Sequence, residues 1–160
     1  LRTSDPQRDE AFWTRICNAR VSDWIGDAAL LRINTIHHSL ALFPSKTAKG
    51  IQHINHQVED VDDVMRSYYW LREKGVKITY GPGRHPLSSA VMVYFEGPDR
   101  MVYEYSVGVK HITPEMESAY RPRQFPMAQF SGCMWGSVPD IPDFQAMRQA
   151  TGAPSIRLAN

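Results

Sequence analysis

Disulfide chemistry has almost nothing to work with in this sequence, because Cys17 and Cys133 are the only cysteines in 160 residues. No disulfide framework follows from two cysteines, and a reducing cytoplasm is the expected compartment. An excess of either charge is also missing: 18 basic against 17 acidic side chains leave +1. That balance excludes an electrostatic nucleic-acid binder, which concentrates Lys and Arg on one face. The longest apolar runs, Ala28–Leu31 and Ala90–Phe95, are far too short to span a bilayer. Leu1–Asp9 is polar, carries both signs of charge and has no initiating Met. A secretory signal is therefore not expected there, and the true N-terminus is expected further upstream. What is present is 42% hydrophobic and 11% aromatic residues, enough for a packed core and too much for disorder. A chain of this length is one domain's worth.

Asp5-Pro6 offers an N-cap followed by proline at the first helical position, and Ala11, Phe12 and Ile16 recur at helical spacing. A helix is expected over residues 6–18. Two strands are expected next, Ala28–Ile33 and Ile36–Phe43, joined tightly at Asn34-Thr35. In the second, Ile36, His38, Leu40 and Leu42 would share one face. The polar loop Pro44–Gly50 leads to a strand over Gly50–Val58. A helix follows with clear punctuation: Asp60 as cap, Asp63 to complete a capping box, Val61, Val64, Met65, Tyr68 and Leu71 at spacings of three and four, and Gly75 as the stop. Capping also explains the acidic cluster Asp60, Asp62 and Asp63. Val76–Tyr80 reads as extended, Gly81–Pro86 as a loop, and Ala90–Phe95 with Met101–Val107 as a hairpin.

The expected fold class is α+β. It comprises two βαβββ modules, residues 1–45 and 50–109, the first lacking its opening strand. Residues 110–160 hold 6 of the 11 prolines and read as an extended C-terminal extension packed on the domain, with a short helix near Pro142–Ala150.

Four of the 6 histidines, His37, His38, His53 and His56, fall within 20 residues on successive expected strands. Histidine is both the neutral-pH acid–base group and the commonest metal ligand. Strand parity places His37 opposite His38 and His56 opposite His53, so neither His37 nor His56 is expected in a site. Glu104 stands between Tyr103 and Tyr105, where alternation allows it to face either water or a metal. With histidines on adjacent strands it suggests the two-histidine, one-carboxylate set of non-heme Fe(II) oxygenases. Ser88 and Ser89 are weaker candidates for substrate contact.

Four stretches in order carry a resemblance. They are His37-His38-Ser39-Leu40-Ala41-Leu42; Gly50–Val58 with Asp62-Asp63-Val64; Gly81-Pro82-Gly83-Arg84-His85; and Val93-Tyr94-Phe95 through Gly97-Pro98 to Tyr103-Glu104-Tyr105. In these the sequence resembles the type I extradiol ring-cleavage dioxygenases of the vicinal oxygen chelate superfamily, over roughly residues 5–107 of a catalytic domain at residues 1–109. Cys133-Met134-Trp135-Gly136 resembles that family's C-terminal extension.

The resemblance implies Fe(II), ahead of Mn(II), held by His53 and Glu104, with a third ligand, a histidine, upstream of Leu1. It implies His38 as the acid–base residue, Tyr94 as a catalytic and substrate-binding hydrogen-bond donor, and His85 as a substrate-binding residue. A catechol and O2 would be the small-molecule partners, the protein would be a homo-oligomer, and an N-terminal half of the same polypeptide would precede this chain. A non-catalytic ligand-binding module, or a metal-dependent isomerase or thiol transferase of the same superfamily, is the alternative.

Overall fold

The computed structural model describes residues 1–148. Its elements are β1 (Arg2–Thr3), α1 (Pro6–Ile16), β2 (Arg20–Ile25), β3 (Ala28–Arg32), β4 (Leu40–Pro44), β5 (His53–Gln57), α2 (Val61–Glu73), β6 (Ile78–Arg84), β7 (Val91–Glu96), β8 (Val102–Val107), α3 (Pro114–Glu117), β9 (Arg123–Phe125) and α4 (Gln129–Gly132). A 3-10 segment, Pro142–Arg148, closes the described chain. The expected helix near Pro142–Ala150 thus begins where the sequence placed it, and its last two positions lie outside the described residues.

Two sheets with the same internal plan result. In one the order is β1-β4-β3-β2-β9, and in the other β5-β8-β7-β6. In each, the first strand of the module runs parallel to the last, β1 with β4 and β5 with β8, and the other pairs within the module are antiparallel. This is the mixed α+β architecture of paired βαβββ modules. The opening strand of the first module appears as the two residues of β1, with Arg2 opposite Phe43.

The helices form for the reasons their sequences give. Asp5 accepts from the Arg8 N–H ahead of Pro6, and Asp60 and Asp63 complete a reciprocal capping box at α2. Val64 and Leu71 are buried along the inner face of α2, where Val64 meets Val91 and Val93 of β7. Gly75 closes the helix at φ +73°, a conformation open to glycine.

Three expectations change. β2 was not anticipated, although Gly26-Asp27 between Trp24-Ile25 and Ala28-Ala29 is a two-residue hairpin signal, and Ile25 does pair with Ala28. The expected strand Ile36–Phe43 begins only at Leu40. Asn34 Oδ1 accepts from the Ile36 N–H and turns the chain. The His37 N–H then donates to the Lys110 carbonyl, and Ile36 bridges His111. His38 therefore lies in a connection, not in a strand's apolar row. Finally, Gly81–Arg84 belongs to β6 and not to a loop. Gly81 has φ +90°, and a Cβ there would stand 2.7 Å from the Met92 carbonyl oxygen; a Cβ on Gly83 would stand 2.6 Å from Cys133 Sγ. The glycines let β6 run close to β7 and to the C-terminal segment.

The core between the sheets draws Ile25, Leu30 and Phe43 from the first, Tyr80, Met92 and Tyr94 from the second, and Cys133, Ile141 and Phe144 from beyond residue 110. β9 extends the first sheet by pairing parallel with β2. None of the described helices is long and apolar enough to cross a membrane.

Candidate active site

The start of β5 and the middle of β8 bring the first pair together. His53 Nε2 lies 3.3 Å from Glu104 Oε2. Alternation along β8 turns Glu104 and Ser106 inward and leaves Tyr103 and Tyr105 half-buried, so the carboxylate faces the interior and not water. His53 is oriented from behind: its Nδ1 hydrogen-bonds Gln52 Oε1, which leaves Nε2 for the cavity. Gln52 is itself buried, and its Nε2 has no hydrogen-bond partner among the described residues.

His85 follows directly after β6. Its Nδ1 donates to the Gly132 carbonyl at 2.6 Å, while Nε2 faces Tyr94 Oη at 3.1 Å and Glu104 Oε1 at 3.5 Å. Burial alone would raise the Glu104 pKa, but His53 and His85 hold it well below the usual carboxylate range. Burial opposes protonation of His85 and Glu104 more than reverses it, raising the imidazole. Burial and the Glu104 charge push the Tyr94 phenol up, so Tyr94 remains a hydrogen-bond donor at neutral pH. Burial, followed by the neighbouring His37, presses His38 down to about 3, which keeps it a neutral base.

Two connected cavities meet here. His38, His53, His85 and Ser88 line both, and Tyr94 lines the inner one, an apolar space of about 60 Å³ walled by Ile25, Leu30, Phe43, Tyr80, Leu87 and Phe144. Glu104 faces the outer one. His38, His53, His85, Tyr94 and Glu104 thus surround one space. Ser88 is buried, its Oγ without a partner among the described residues, whereas Ser89 is exposed. His56 is exposed beside Tyr103.

His37 corrects the parity reading. Because it lies in a turn and not a strand, it does not point away from His38. It is wholly buried, with its Nδ1 3.0 Å from His38 Nδ1 and its Nε2 2.9 Å from Asp23 Oδ2. Asp23 and Arg123 were also missed, since their roles depend on β2 and β9.

One imidazole nitrogen and one carboxylate oxygen converging on a cavity fit two positions of a divalent metal. Among the described residues no set of three histidine, cysteine, aspartate or glutamate side chains forms a metal site.

A model of the Glyoxalase/Bleomycin resistance protein/Dioxygenase superfamily matches residues 1–105. The chain belongs to this superfamily. Among characterised members of the superfamily, "Metapyrocatechase 2" of Cupriavidus necator is 30% identical over 147 residues, covering 90% of this chain and 44% of that protein. "Iron-dependent extradiol dioxygenase" of Rhodococcus jostii strain RHA1 is 28% identical over 130 residues, covering 72% and 43%. The chain therefore spans under half the length of these two superfamily relatives. The crystal structure of a Mn(II)-bound glyoxalase from Novosphingobium aromaticivorans superposes with a TM-score of 0.79 at 28% identity, covering 97% of this chain and 50% of that one.

Proposed function

We propose that this chain is the catalytic part of an extradiol ring-cleavage dioxygenase, which opens a catechol beside its two hydroxyls and incorporates both atoms of O2. The observation that carries the reading is the approach of His53 Nε2 to Glu104 Oε2, 3.3 Å apart, at a cavity also lined by His38, His85 and Tyr94. His53 and Glu104 would hold Fe(II), with Mn(II) as the second choice, together with a histidine from outside these 160 residues. Residues 1–109 form the catalytic domain in this reading, residues 110–160 its extension, and the cytoplasm its compartment.

When bound, the metal supplies a template that holds catechol and O2 side by side. The rest falls to this chain's own side chains. His38, neutral and beside the cavity, takes a proton from a catechol hydroxyl and returns it at a later step. Tyr94 Oη donates a hydrogen bond to the ring oxygen that gains negative charge. His85, anchored on the Gly132 carbonyl, fixes the Tyr94 hydroxyl in place. The apolar inner cavity takes the substituent carried by the catechol ring and excludes water around it.

The test is direct. The complete gene product, loaded anaerobically with Fe(II) and 2,3-dihydroxybiphenyl, should yield a yellow ring-fission product when O2 is admitted. A panel of catechols giving neither O2 uptake nor bound iron would refute the proposal. The Mn(II)-bound glyoxalase likeness supports a second reading, metal-dependent isomerisation of a thiol adduct. Under that reading Mn(II) loading would give activity on a hemithioacetal and none on catechols.

A further inference from the structure

Consecutive residues of a regular strand face opposite sides, yet Ser22 and Asp23 of β2 are both wholly buried. The β2–β3 register shifts between Val21 and Asp23, and this irregularity turns the Asp23 carboxylate inward. Burying a carboxylate is costly unless it is fully partnered. Here it is. The Arg123 N–H reaches Oδ1 at 2.8 Å, the Arg123 guanidinium reaches Oδ1 at 3.1 Å and Oδ2 at 2.6 Å, and His37 Nε2 reaches Oδ2 at 2.9 Å. Tyr120 Oη stands 3.5 Å from Oδ1. Burial works against the ionised form, but His37 and Arg123 hold Asp23 down to about 2.

The chain of contacts continues to the cavity. His37 is wholly buried between Asp23 and His38, and its Nδ1 lies 3.0 Å from His38 Nδ1 with the two rings nearly perpendicular. The Asp23 contact fixes one hydrogen of this chain. An ionised carboxylate only accepts, so His37 Nε2 carries the hydrogen it donates to Asp23. Between the two imidazoles one Nδ1 donates and the other accepts, and in the relay direction drawn here His38 donates its Nδ1–H to His37 Nδ1. That leaves the lone pair of His38 on Nε2.

We propose that Asp23 and His37 form a buried relay that fixes the ring orientation and tautomer of His38, with Arg123 on β9 as its outer clamp. The inference rests on the reading of His38 as the acid–base residue and names the positioning residues behind it. When His38 accepts a proton at Nε2, its Nδ1–H stays donated to His37, and the Asp23 carboxylate lies beyond to favour the added positive charge. Placing the outer clamp on β9 ties the segment beyond residue 110 to the geometry of the site. A salt bridge of Asp23 with Arg123 alone would not need a histidine wedged between it and His38.

The experiment compares the complete gene product with its Asp23→Asn, His37→Asn and Arg123→Gln variants. Long-range proton–nitrogen correlation of the histidine rings reads the tautomer, and steady-state kinetics with 2,3-dihydroxybiphenyl read the consequence. Wild type should show His38 protonated on Nδ1 alone. Asp23→Asn and His37→Asn should convert it to a tautomer mixture and lower kcat roughly 10–100-fold, with iron content unchanged and KM within about threefold. Arg123→Gln, altered at a half-exposed side chain, should move both readouts in the same direction by less, and it carries the test if a buried substitution prevents folding. Unchanged His38 tautomers in the folded variants, with kcat within about twofold of wild type, would overturn the relay. Should wild type cleave no catechol, the dioxygenase reading fails, and the tautomer spectra still decide whether Asp23 and His37 set His38.

Discussion

His53 on β5 and Glu104 on β8 lie on adjacent parallel strands two steps apart in register, since His53 pairs with Val102 and Asn55 pairs with Glu104. That offset allows an imidazole and a carboxylate to meet at 3.3 Å from neighbouring strands. If they are metal ligands, removing either should remove the metal. His53→Ala and Glu104→Ala should each lower iron occupancy of the complete gene product at least about tenfold, while His38→Gln keeps its iron. Atomic absorption on the three purified variants checks this, and equal iron in all of them would refute the assignment.

Glycine conformation at β6 gives a stability prediction. Gly81→Ala meets both a positive φ and the Met92 carbonyl oxygen at 2.7 Å, and should cost about 1–3 kcal/mol. Gly75→Ala has the same sign of φ but open space around it, so it should cost less. Urea unfolding midpoints of the two variants give the comparison.

Acid should uncover the Asp23 pair. Its folded pKa, about 2, lies below the unfolded value of 3.8, so its contribution is present above pH 4 and fades as pH falls toward 2. The shift corresponds to about 2 kcal/mol. In the pH 4 to 2 window, wild type should lose that much more stability than Asp23→Asn, as measured by denaturant melts at closely spaced pH values.

Substrate size should answer to the inner cavity. Ala41 lines it among Leu30, Phe43 and Phe144. Ala41→Phe should raise KM for 2,3-dihydroxybiphenyl about tenfold or more and change KM for unsubstituted catechol little. Equal effects on both substrates would place the substituent elsewhere.

Much of this arrangement was legible in the sequence wherever local rules decided it. The capping box at Asp60 and Asp63, the stop at Gly75 and the β7–β8 hairpin depend on residues close in the chain, and they formed where expected. Residues whose roles depend on distant partners were not legible. Strand parity assigned His37 to the face away from His38, but Asn34 and the distant Lys110 carbonyl hold that stretch out of a strand. Asp23 carries no local signal, because its burial requires Arg123, 100 residues further on. Glycine at 81 and 83 read as loop, and only the closeness of Met92 and Cys133 shows why a strand needs them there.

The central claim is a metal held between His53 and Glu104, and iron-edge anomalous scattering from crystals of the Fe(II)-loaded complete gene product tests it most directly. The expected map has one strong peak within bonding distance of His53 Nε2 and a Glu104 carboxylate oxygen, on the cavity side that His38 and Tyr94 line. A protein that cleaves catechols with its iron peak elsewhere, or with no contact to either residue, would contradict it.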